Sequence, residues 1–110
     1  MKLLSRAEEI VLLIVLKLQG NAYGVTIRER IKKETGTLWS FGSIYMPINK
    51  LTRKGFVKKI IGDPTQERGG RSKCLYEVTE AGMAALSSIR QVQENLWADL
   101  PDFIFEKGDK

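Results

Sequence analysis

GDPTQERGGRSKC, residues Gly62–Cys74, lies between two stretches with strand character, FVKKII (Phe56–Ile61) and LYEV (Leu75–Val78). A β-hairpin ordinarily closes in two to five residues. Here the connection takes about a dozen, and its returning arm holds Arg68, Gly69, Gly70, Arg71 and Lys73. A long, basic, glycine-containing finger has no use in packing a core. It is the form of a wing that lies against a polyanion.

The surrounding charge supports that reading. The 110-residue chain has a net charge of +5 and a pI near 9.5, which favours a polyanionic partner. Residues 20–80 hold twelve of its eighteen basic side chains but only six of its thirteen acids. The basic surplus is therefore local to the finger and the segments before it.

The length predicts one core, and 43 % apolar residues are enough to build it. Ser5-Arg6-Ala7-Glu8 has the spacing of a capping box, opening a helix that runs to about Leu18 and ends at Gly20. Ile10, Val11, Leu13, Ile14, Leu16 and Leu18 wrap much of its circumference, as expected of a central core helix. A second helix runs through YGVTIRERIKKET to Gly36, burying Tyr23, Ile27 and Ile31. Its Arg28, Arg30, Lys32 and Lys33 lie off that stripe and read mostly as a solvated face.

A third helix runs from Ser40 to Lys54, with Gly55 as its stop. Ile44, Ile48 and Leu51 face the core; Gly42, Ser43, Met46, Asn49, Lys50 and Arg53 face away. Pro47 removes an amide from this helix and predicts a bend. After the hairpin, Thr79 caps a last helix whose Met83, Leu86, Ile89, Val92, Leu96 and Leu100 step by threes and fours until Pro101. Little chain remains to cover that seam, so its start is expected to pack within the domain and its end against a second subunit.

Helix, helix, helix, two-stranded wing, helix is the order of a winged helix-turn-helix, and GTLWS is a short enough link between helices two and three. The fold class is thus mainly α with a small β-hairpin. Residues 1–78 form the DNA-binding domain and 79–110 the C-terminal dimerisation helix and tail. The third helix is expected in the major groove, with the wing on the phosphates or in the minor groove.

At this point the chain resembles a known family. AYGVTIRERI, GSIYMPINKLTRKGFVKK and GDPTQERGGRSKCLYEVTEAGMAAL together are similar to the PadR family of transcriptional regulators. The resemblance covers about residues 3–90 and implies a winged-helix DNA-binding domain, dimerisation through the C-terminal helix, and usually repression. It places Gly42, Tyr45 and Leu51 on the recognition-helix motif, Gly69, Gly70, Arg71 and Lys73 on the wing motif, and Tyr76 on the returning strand. The chain departs from the pattern where Met46 separates Tyr45 from Pro47, where Cys74 replaces a common basic residue, and where Leu75 replaces an aromatic one.

The expected DNA-binding residues are Ser43, Tyr45, Asn49, Lys50, Arg53, Arg68, Gly69, Gly70, Arg71 and Lys73. Ser43, early in the helix, is placed for a base or a phosphate, whereas Arg53 lies too far along for bases. Tyr45 either gives its hydroxyl to a phosphate or packs. Arg68 either meets DNA or pairs with Glu67. The expected dimer interface is Leu86, Ile89, Val92, Leu96, Trp97 and Leu100. Trp97 reads as dimer core or, alternatively, as the aromatic wall of a site for a small aromatic effector. Trp39 reads as a packing residue.

The expected function is a sequence-specific transcriptional regulator, a repressor acting as a homodimer on an inverted repeat. The alternative is a winged-helix module that docks an acidic protein. An enzyme is disfavoured. The chain has no histidine, a single cysteine and no phosphate-binding G-x-x-x-x-G-K-[ST] loop. No cofactor or metal is expected. Cys74 cannot form an intramolecular disulfide and reads as a small strand residue, which fits a reducing cytoplasm. Ile10–Leu18 is too short to span a bilayer and is interrupted by Lys17, and no signal peptide is evident, so the expected location is cytoplasmic.

Overall fold

The computed structural model describes residues 3–64 and 72–101, with the backbone alone for residues 62–64, 72 and 73. The element order is α1 (Arg6–Lys17), α2 (Gly24–Thr35), α3 (Phe41–Arg53), β1 (Val57–Pro64), β2 (Ser72–Val78) and α4 (Glu80–Trp97). This is the expected winged-helix order, mainly α with one antiparallel hairpin.

α1 opens on the expected capping box. The Glu8 amide donates to Ser5 Oγ at 3.1 Å, and the Ser5 amide donates to Glu8 Oε1 at 2.9 Å. The helix lies at the centre of the molecule, packed against α2, α3, β2 and α4. Its buried side is Val11, Leu12, Ile14 and Val15, while Leu13 is 41 % exposed. The apolar run around the whole circumference hid which residues point inward, since periodicity cannot orient a helix that is apolar almost all round.

α2 buries Ile27 and Ile31, and α3 buries Ile44, Ile48 and Leu51, all with no exposed surface. Fully burying an aliphatic side chain of this size contributes roughly 1.5–3 kcal/mol, so these five side chains orient both helices on α1. α3 begins at Ser40, whose Oγ accepts from the Ser43 amide at 3.1 Å. It continues through Pro47, which is buried. Its exit turns at Gly55, with φ +81°, a conformation that favours glycine. The Phe56 amide then returns to the Leu51 carbonyl at 2.9 Å and aims the chain into β1.

The hairpin pairs Val57 with Val78 and runs in register to Ile61 opposite Cys74. Pairing resumes at Pro64 opposite Ser72, so Gly62 and Asp63 stand against Lys73 alone. This one-residue bulge lets both strands extend beyond the expected Phe56–Ile61 and Leu75–Val78. Only residues 65–71 then separate the two strands. β2 is also tied to the helices: the Tyr76 amide donates to the Ala22 carbonyl at 2.9 Å, and the Val78 amide to Gln19 Oε1 at 3.3 Å.

Thr79 caps α4, accepting from the Gly82 amide at 3.1 Å and donating to the Gly55 carbonyl at 2.6 Å. The apolar spacing predicts a helical seam as far as Leu100, but α4 ends at Trp97. Ala98 is extended and Asp99 has φ +62°. The backbone has therefore left the helix before Leu100, whose helical conformation Pro101 disfavours. Threefold and fourfold apolar spacing carries on past the point where the helical backbone stops.

Candidate nucleic-acid interface

The site is built on α3. Its thirteen residues include two cations, Lys50 and Arg53, and no acid. Burial of Ile44, Pro47, Ile48 and Leu51 fixes the roll of the helix. Gly42, Ser43, Met46, Asn49, Lys50 and Arg53 are consequently all turned away from the core. Ser43 hydrogen-bonds through its hydroxyl to the Ser40 hydroxyl at 2.9 Å, which places it at the positive end of the helix dipole. Nothing anionic on α3 itself would repel a phosphate.

Tyr45 sits at the side of this face, 38 % exposed. Its ring stacks beside Phe41, with centroids 6.3 Å apart, and its hydroxyl lies over Gly24 at the start of α2. A Cβ at Gly24 would fall on that hydroxyl, so the glycine makes room for the contact between α2 and α3. Both expected uses of Tyr45, packing and presenting a polar tip, are compatible with this position.

Phe41 in turn carries Arg28, whose guanidinium lies 4.7 Å from the ring centroid and whose Nε donates to the Trp39 carbonyl at 2.8 Å. Arg28 thus pins the link between α2 and α3 rather than belonging to an undifferentiated solvated face. Sequence reasoning missed this brace. The signal was present as an arginine and an aromatic on either side of the turn, but their distance required the fold. Arg30 of α2 differs: it and Lys17 of α1 both pair with Glu34, at 2.9 and 3.0 Å. Those cations hold the Glu34 carboxyl below its ordinary range.

Beneath α3, Lys54 Nζ donates to Glu8 Oε2 at 2.7 Å. Burial of Glu8 alone would raise its pKa, but the Lys54 ammonium and the Ser5 amide and hydroxyl outweigh burial and hold the carboxyl below its usual value. Lys54 is thereby engaged in anchoring the end of α3 to the start of α1. Tyr76, buried on β2, has its phenol pushed up by burial, and then by Cys74 and Tyr45.

Arg68, Gly69, Gly70 and Arg71 lie outside the described residues, and Lys73 is described only as backbone in β2. Of the α4 seam, Leu86 and Ile89 are buried within the chain, and Val92 and Leu100 are partly buried. Leu96 and Trp97 are 66 % and 56 % exposed. A groove of about 520 Å³ runs between the start of α1 and α3, bordered by Trp39, Ser43, Met46 and Lys50. A second, of about 460 Å³, runs between α1 and α4 and is lined by Leu13, Leu16, Met83, Leu86 and Ile89, with Trp97 outside it.

Comparison with known proteins agrees with this geometry. The family model of the PadR-like transcriptional regulators matches residues 12–88. The chain belongs to that family. Its PadR-like fold recurs in solved structures. A PadR-like transcription factor from Bacteroides fragilis superposes with a TM-score of 0.70 at 21 % identity, over 81 % of each chain. A PadR-like regulator from Bacillus cereus gives 0.67 at 20 % identity, over 81 % of this chain and 82 % of that one. A transcriptional regulator from Clostridium thermocellum gives 0.66 at 19 % identity, over 94 % and 90 %. At these identities the structures speak to the fold. No curated protein matches the chain by sequence. As a PadR-like protein the chain is a DNA-binding transcriptional regulator, of a family of regulators and not of enzymes. Among the described residues, no helix is long and apolar enough to cross a membrane, and no three metal-ligating side chains cluster.

Proposed function

We propose that the protein is a homodimeric repressor that binds an inverted-repeat operator. In this reading α3 enters the major groove and the wing follows the backbone into the minor groove. The observation that carries it is the outward face of α3: exposed, free of acids, and held at a fixed roll by a fully buried opposite side. Ser43 and Asn49 then meet base edges, Lys50 and Arg53 phosphates, and Tyr45 presents its hydroxyl at the groove edge. Arg68, Gly69, Gly70, Arg71 and Lys73 act on backbone charge and groove width.

Dimerisation is supported by the exposed Leu96 and Trp97 and by the open apolar groove between α1 and α4. Leu96 and Trp97 continue the seam whose earlier members, Leu86 and Ile89, are buried within the chain. Two α3 helices related by a two-fold axis account for an inverted repeat. A repressor then acts by occupying the site. Binding titrations of the full chain on operator and unrelated duplex, each at several salt concentrations, test the reading. Expected is tighter binding to the operator, with a steep salt dependence on both. Equal, salt-insensitive binding, or none, would favour docking of an acidic protein on this face instead.

A further inference from the structure

The centre of the outward face of α3 is not its most polar part. Gly42, Met46, Asn49 and Arg53, spaced by four, three and four, fall on one line opposite the buried Ile44, Ile48 and Leu51. On that line Met46 is 64 % exposed, the most exposed apolar side chain of the helix. The other two exposed aromatic or aliphatic residues of α3 are accounted for, since Phe41 and Tyr45 stack together and lean on Arg28 and Gly24. Met46 adds little buried surface to the core, and a polar residue there would serve folding as well.

One turn earlier stands Gly42. A Cβ on it would meet nothing nearer than Ser40 Oγ at 3.9 Å, so intramolecular packing does not require glycine there. The two positions follow one another a turn apart on the outward face: a bare backbone and then a flexible, polarisable thioether, with Ser43 and Asn49 on either flank of Met46. In the major groove one base alone presents an apolar group, the C5-methyl of thymine, and apolar side chains recognise it. Methionine suits such a contact because it adapts its shape to an irregular surface.

We infer that Met46, seated beside Gly42, is a specificity-determining residue that reads the C5-methyl of a thymine in each half-site. The inference rests on α3 being the recognition helix. It adds to the polar readers a contact that hydrogen-bond reasoning does not find.

The test begins with selection of the bound site from randomised duplex by the full-length protein. Each thymine of that site is then replaced singly by deoxyuridine, which removes only the methyl. Wild-type protein should bind about four-fold more weakly at one thymine of a half-site, the effect of withdrawing one buried methyl-sized group. Met46→Ala should bind the thymine and uracil forms of that position equally, while keeping its response to substitutions elsewhere. A selected site without thymine under α3, a flat uracil scan, or an unchanged scan in Met46→Ala overturns the inference while leaving sequence-specific binding intact. Failure of the wild-type protein to select any site overturns the recognition-helix reading, and this inference with it. Met46 is exposed, so the variant should fold, and the wild-type uracil scan decides independently of it.

Discussion

Two single residues hold α3 in place. Glu8 is 5 % exposed and joined to Lys54, so it ties the start of α1 to the end of α3. Glu8→Gln should cost about 1–2 kcal/mol of stability near neutral pH, since it removes a charge-assisted bond but leaves the lysine partly solvated. Because the folded carboxyl is held below its ordinary value, its contribution is fully present above that value and disappears as pH falls through the depressed one. Chemical denaturation across pH should show wild type and Glu8→Gln well separated at neutrality and converging in acid. A gap that widens in acid would contradict the assignment. Gly24 is the second. Gly24→Ala should lower stability by about 1–3 kcal/mol, because the new methyl meets the Tyr45 hydroxyl. In a Tyr45→Phe background the same change should cost less, and a double-mutant cycle with no coupling would dismiss the contact.

At the level of elements, α3 and the hairpin are proposed to divide the work of binding. The wing is proposed to act on backbone charge, which supplies affinity with little sequence information. Arg71→Ala or Lys73→Ala should therefore weaken operator and unrelated duplex together. Each should flatten the slope of log K against log salt by about 1 for every phosphate that a subunit no longer neutralises. Ser43→Ala or Asn49→Ala should instead change the ratio between the two DNAs. Salt titrations on both duplexes, with circular dichroism to verify folding, separate these patterns. An Arg71→Ala protein that folds normally and keeps both affinity and slope would remove the wing from the interface. The bonds from Tyr76 to Ala22 and from Thr79 to Gly55 matter here, because they fix β2 to the link between α1 and α2, and its exit to the turn that follows α3.

For the whole molecule, the exposed end of α4 predicts assembly. Sedimentation at micromolar concentration should show a dimer, and Leu96→Asp should shift it toward monomer while weakening operator binding. A wild-type monomer that binds with full affinity would end the proposal. Footprinting should reveal an inverted repeat with half-sites about 34–36 Å apart, one turn of DNA. A single short asymmetric footprint would contradict the two-fold arrangement.

The element order, the caps at Ser5 and Thr79, the Ile27–Ile31 stripe of α2 and the Ile44, Ile48 and Leu51 face of α3 followed from the sequence by itself, because each depends on local geometry and periodic burial; Tyr23, expected on the α2 stripe, is instead the half-buried residue before the helix. The antiparallel hairpin was legible too, in the two strand-like stretches on either side of Gly62–Cys74. Other features depended on chain segments far apart in sequence. The inward side of α1 was set by its neighbours, since an almost wholly apolar helix has no stripe of its own. The Arg28 brace and the Gly24–Tyr45 contact exist only once α2 and α3 cross. The bulge that lengthens the strands, and the break of α4 before Leu100, are backbone conformations that an uninterrupted apolar spacing does not record. Met46 belongs to the same class: its apolar side chain became informative when the buried side of α3 showed that it faces outward.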